Sequence, residues 1–134
     1  MGIVNQIEYN GDLYNIKDTE AQKSLVYSQN ETDTGKIWLD GKKIYRKVLL
    51  LPAITKGAVY EEDLTSLEIA THIHFYGFAQ IATSVFIPLL NSDELNNENN
   101  IYFSFIKNKL QIRAGVRIEI LSGYIVLEYT KTTN

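Results

Sequence analysis

The sequence predicts an all-β protein, an antiparallel sandwich or barrel, on three observations. Nine Tyr, five Phe and one Trp stand among abundant Ile and Val, residue types that fit a pleated, half-buried surface better than a helix. Turn-forming pairs cut the chain at short intervals, at Asn10-Gly11, Asp40-Gly41, Asn108-Lys109 and Ser122-Gly123. Between them apolar residues alternate with polar ones, the period of a strand with one face covered.

The elements follow in order. Asn-Gly is the preferred pair for a type I′ turn, so residues 7–16 read as a hairpin with Ile7 opposite Tyr14 and Tyr9 opposite Asp12. Alternation groups Ile7, Tyr9, Tyr14 and Ile16 on one face, and a two-stranded ribbon needs a partner for such a face. Asp18 or Thr19, with Gln22 three residues after Thr19, starts a short helix that ends near Leu25. The polar, unpatterned stretch from Tyr27 to Gly35 reads as a linker, dividing residues 1–27 from a sheet domain at 28–134. A second hairpin turns at Asp40-Gly41, with Ile37, Leu39, Ile44 and Val48 expected in the core and Trp38 and Tyr45 opposite, beside Lys36, Lys43 and Lys47. Later strands are expected at Ile69–Phe78, Ala82–Leu89, Ile101–Lys107, Leu110–Ala114, Val116–Ile120 and Tyr124–Thr130, with a polar loop at Asn91–Asn100.

Composition removes several function classes. The chain has 134 residues, 13 Lys and Arg against 16 Asp and Glu, and a formal charge of −3. One domain of this length can bury a sizeable core. A mildly acidic balance lacks the clustered Lys and Arg that displace counterions from a nucleic acid. Without cysteine there is no disulfide, thiolate zinc site or Cys nucleophile. The start shows no basic region followed by an apolar stretch, and Gln6 stands where a myristoylation motif has Ser or Thr. The longest aliphatic run, Val48–Leu51, stops at Pro52, far short of the ~20 apolar residues that span a bilayer.

No catalytic constellation stands out, so no enzyme and no cofactor is expected. Glu61-Glu62-Asp63 and Asp93-Glu94 lie in turn-like sequence, where solvated loop charges are expected rather than a carboxylate pair flanking a glycosidic bond. His72 and His74, two residues apart on a strand, would point the same way and offer two metal ligands, completed only by further copies around an axis. Trp38 and Tyr45, with Lys43 and Lys47, fit two roles: a cross-strand cluster packed in the domain or against another copy, or a platform for a sugar ring.

From Thr34 to Lys47 the sequence reads Thr-Gly-Lys-Ile-Trp-Leu-Asp-Gly-Lys-Lys-Ile-Tyr-Arg-Lys. It resembles the Trp-x-Asp-Gly-Lys-Pro-Ile-Tyr-Arg-Lys signature of bacteriophage and prophage tail, fibre and minor structural proteins, with Lys43 in place of Pro. Phe86-Ile87-Pro88-Leu89 and the ending from Leu127 to Asn134 are similar to further segments of those proteins, in the same order. Tyr9–Asp18 is similar to a Tyr-Asn-Gly-x-x-Tyr-Asp-Ile-Lys-Asp opening found among them. The resemblance implies a virion component made in a bacterial host's cytoplasm: a jelly-roll-like antiparallel β-sandwich that forms a homotrimer on a head fibre, tail fibre or baseplate and touches the host surface. Its partners would be its own copies, other virion proteins and, in the alternative reading as a carbohydrate-binding module, host glycans, with no nucleic acid and no membrane insertion. Residues 1–27, through Ile7, Tyr9, Tyr14 and Ile16, would then attach it to the particle.

Overall fold

The computed structural model describes residues 6–9, 12–15, 25–91 and 98–133. Strands β1 (Gln6–Tyr9) and β2 (Asp12–Asn15) pair antiparallel, with Ile7 opposite Tyr14 and Tyr9 opposite Asp12. The turn between them and the expected helix, Leu25 apart, lie outside the described residues; Leu25 itself is in a turn.

The other strands are β3 (Thr32–Ile37), β4 (Lys43–Leu51), β5 (Val59–Asp63), β6 (Ile69–Ala82), β7 (Val85–Asn91), β8 (Ile101–Ile106), β9 (Lys109–Ala114) and β10 (Ser122–Lys131). They form one curled sheet in the order β3-β4-β10-β6-β7-β8-β9-β5. A single 3₁₀ turn, Thr65–Leu67, is the one helical element among the described residues, and none of their helices is long and apolar enough to cross a membrane.

The sheet is mixed, which corrects the expectation of purely antiparallel pairing. Pro88 to Val85 of β7 run antiparallel to β6, whereas Leu89, Leu90 and Asn91 pair in parallel with Ile101, Tyr102 and Phe103 of β8. The parallel ladder is only three residue pairs long, so the Asn-rich loop, largely outside the described residues, is long enough to return the chain to its start.

Curling lets both halves of the sheet bury side chains in one cluster. Leu51, Ile125, Leu127 and Tyr129 come from β4 and β10; Ile101, Phe103, Leu110 and Ile112 come from β8 and β9. Each fully buried aliphatic contributes about 1.5–3 kcal/mol. Gly77 allows the central pair to close: a Cβ there would sit 2.2 Å from the Tyr124 carbonyl oxygen of β10.

Several expectations change for local reasons. The Tyr27–Gly35 stretch is not a free linker, because β3 begins at Thr32 and Thr34 is buried, its Oγ1 donating to the Ile44 carbonyl at 2.6 Å. Upstream, the Val48 amide donates to the Ser28 carbonyl at 2.9 Å. The β3–β4 turn holds three residues, not two: the Trp38 amide donates to the Lys42 carbonyl and Ile37 pairs with Lys43. Gly41, at φ +84, supplies the left-handed residue such a loop needs. Ile37, opposite Lys43 on the edge strand, is 60% exposed, and Leu39, within the turn, is 92% exposed, instead of lying in the core. Ser122 and Gly123 open β10 rather than forming a turn. Val116–Ile120 is not a strand, because the Gly115 and Arg117 amides donate to Asn100 and Glu98 carbonyls, and only Ile120 bridges to Ile54.

Candidate functional site

Three strands present an outward face whose side chains lie in rows. Register places Leu50, Tyr124 and Phe78 side by side, then Val48, Val126 and Tyr76, then Arg46, Glu128 and His74. Two rows are apolar or aromatic and the third is charged. Phe86, opposite Gln80 in the next row along β6, extends the apolar end onto β7.

The apolar end is uncovered: Leu50 is 58%, Phe78 39%, Phe86 60% and Tyr124 37% exposed. A groove of about 280 Å³ runs between these four side chains. A second, of about 360 Å³, has Val48 and Val126 with Tyr27, Tyr76 and Tyr124 along its lining.

The charged end is built on Arg46, which is 3% exposed. Its Nη2 lies 3.5 Å from Glu128 Oε1, its Nη1 donates to the Val26 carbonyl at 3.2 Å, and its guanidinium sits 4.5 Å from the centre of the Tyr27 ring. Tyr76 donates its hydroxyl to that of Tyr27 at 3.4 Å. Burial first, then this hydrogen bond, push the Tyr76 phenol up to about 12. Arg46, Val48 and Tyr76 thus hold residues 26–28 across the outer face as a strap, while Leu25, Val26 and Tyr27 remain exposed.

His72 and His74 do not form a ligand pair. A bulge between Glu128 and Tyr129 sets His74 opposite Glu128 and His72 opposite Tyr129, neighbours on β10 that point to opposite faces. His74 Nδ1 lies 4.0 Å from Glu128 on the outer face. The His72 ring lies 4.7 Å from both Phe75 and Phe105, and this partial burial holds its pKa below the ordinary value. Among the described residues no three His, Asp or Glu side chains gather as a metal site.

Trp38 and Tyr45 are likewise separated. Tyr45 packs against the core, stacked 6.4 Å from Tyr129, whose buried hydroxyl donates to Glu31 at 2.6 Å. Burial and this bond raise the Tyr129 phenol far above its ordinary range. Lys131 bonds the same Glu31 at 2.7 Å and lies over the Tyr45 ring. Lys43 pairs with Asp33 at 3.6 Å, and Lys47 lies opposite Leu127. Trp38, half-buried, stands opposite Lys42, so the register assigns it to the other side of the sheet from Tyr45.

The acidic run on β5 is engaged locally. Glu61 accepts from Gln111 at 2.7 Å, and Asp63 accepts from the Thr65 amide and hydroxyl, which hold its carboxyl below the usual range. Asp93 and Glu94 lie outside the described residues, as do the side chains of Ile7, Tyr9, Tyr14 and Ile16.

The rows on the outer face escaped the sequence reading. Alternation in His74-Tyr76-Phe78 and Tyr124-Val126-Glu128 was available as a signal, but not which strand lies beside which. No protein-family model matches the chain, and no curated protein or solved structure is significantly similar to it.

Proposed function

We propose that the chain is a structural component of a bacteriophage virion, a head-fibre, tail-fibre or baseplate accessory subunit, that associates with its own copies through the outer face of β4, β10 and β6. The observation that carries this reading is the uncovered band of Leu50, Phe78, Phe86 and Tyr124. A contiguous apolar patch of this kind marks an interaction surface, because water contact with it is unfavourable and a second protein surface removes that contact.

The signature segment adds support. Within it Gly41 makes the turn, Tyr45 packs on the core and Arg46 anchors the outer face, so its residues serve the architecture rather than a reaction. In this reading the two halves of the curled sheet are the layers of a jelly-roll-like sandwich, with β7 as the strand that passes between them. The β1–β2 ribbon precedes it as an assembly device.

Light scattering on the full chain at micromolar concentration is expected to give a closed oligomer, a trimer on the fibre resemblance. Phe86→Asp should give a monomer that still unfolds cooperatively, its melting temperature lowered only by the part that association adds and no longer dependent on protein concentration. Mass spectrometry of purified virions is expected to find the chain. A monomeric wild type that binds a bacterial surface glycan would replace this reading with the carbohydrate-binding one.

A further inference from the structure

We propose that the apolar groove on the outer face receives the β1–β2 ribbon of a neighbouring copy, so that the subunits are joined by exchange of their N-terminal segments. This rests on self-association through the outer face and names the part of the partner that fills it.

Three observations meet here. First, among the described residues nothing covers the groove, where Leu50, Phe78, Phe86 and Tyr124 stay exposed. Second, the ribbon consists of two four-residue strands paired with each other, and so small a sheet is marginal in water without a surface to pack on. Its sequence, Gln-Ile-Glu-Tyr and Asp-Leu-Tyr-Asn, supplies Ile, Leu and Tyr side chains of the kind that an apolar groove lined by Leu50, Phe78, Phe86 and Tyr124 accepts. Third, the strap at residues 26–28 is fixed to this same face by Arg46, Val48 and Tyr76. The N-terminal segment therefore leaves each subunit at the edge of the groove.

Nine residues lie between Asn15 and Leu25, and the ten steps from one to the other reach at most about 35 Å, enough to cross to an adjacent subunit. One ribbon given and one groove filled per copy is satisfied by mutual exchange in a dimer or by head-to-tail contacts whose rotation closes into a ring. The oligomer would thus be cyclic, with every groove occupied.

Complementation between two full-length variants tests the exchange. Tyr9→Asp damages the ribbon and leaves the groove; Phe78→Asp damages the groove and leaves the ribbon. Ile7→Lys and Phe86→Asp serve as second variants, and thermal melting shows that each folds. Each variant alone is expected to be monomeric by light scattering. Mixed in equal amounts, they should form a dimer, because one intact ribbon meets one intact groove. A ribbon variant that assembles like the wild type would overturn the proposal in favour of face-to-face contact between grooves. A mixture that stays monomeric would also overturn it. A wild type that is itself monomeric would instead remove the underlying self-association, and the two failures are told apart by that control.

Discussion

Arg46 shows how one residue ties the strap, the sheet and the outer face together. A guanidinium is kept out of water only with its charge and donors engaged, and here a carboxylate, a carbonyl and an aromatic ring surround it. Arg46→Ala would leave the Glu128 side chain, 13% exposed, without its cation. That change should cost about 3–5 kcal/mol, the range for breaking a buried pair. Arg46→Met combined with Glu128→Gln removes both charges and keeps most of the volume, so it should lose less than Arg46→Ala alone. Denaturant titration of the two variants checks the ordering. A double variant less stable than the single one would mean that the pair itself, rather than the avoidance of a stranded charge, stabilises this end of the face.

At the scale of elements, the contact between β6 and β10 depends on Gly77. Its missing side chain leaves room for the Tyr124 carbonyl and for the Cα of Ile125, which a Cβ would approach to 2.9 Å. Both obstacles are backbone, so Gly77→Ala must push the two strands apart, with a loss of up to about 3 kcal/mol by the measure of overpacked cores. Hydrogen exchange should locate the loss in β6 and β10; exchange unchanged there would mean that the strands already stand further apart. Strand content of this kind was legible in the sequence, since the signals are local: β6 and β9 lie where apolar residues alternate with polar ones, and β8 and β10 in short runs of Ile, Tyr, Phe, Val and Leu. Whatever depended on one extra residue was not legible. The third residue in the β3–β4 loop placed Leu39 in the turn, and the edge position of β3 left Ile37 in solvent. An extra residue on β6, Ile73, opposite the step from Glu128 to Tyr129, parted His72 from His74. Val116–Ile120 has strand-like alternation, with Ile118 and Ile120 buried, but its neighbours' amides are taken by the loop at 98–100. The outer face stayed hidden because strand order is a long-range fact: β4 and β6 flank β10 although the three are far apart in the chain.

For the molecule as a whole, the decisive feature is that two half-sheets share one core. β9 and β4 belong to opposite halves of the sheet, yet Ile112 and Leu51 lie in the same buried cluster. If that cluster acts as a unit, damage to one half must be felt in the other, since neither retains a covered apolar face without its partner. Trp38 is the single tryptophan and lies between β3 and β4, so its fluorescence reports on the first half, while far-UV circular dichroism reports on all strands. Ile112→Ala removes a fully buried side chain from β9 and should cost about 2–5 kcal/mol. In urea, at one fixed protein concentration because association adds to apparent stability, both probes should follow a single transition. The Trp38 midpoint should move as far as the circular dichroism midpoint. A Trp38 transition that stays in place while the circular dichroism splits in two would show that the halves fold independently, and the curled sheet would then be two units joined at β7 rather than one body.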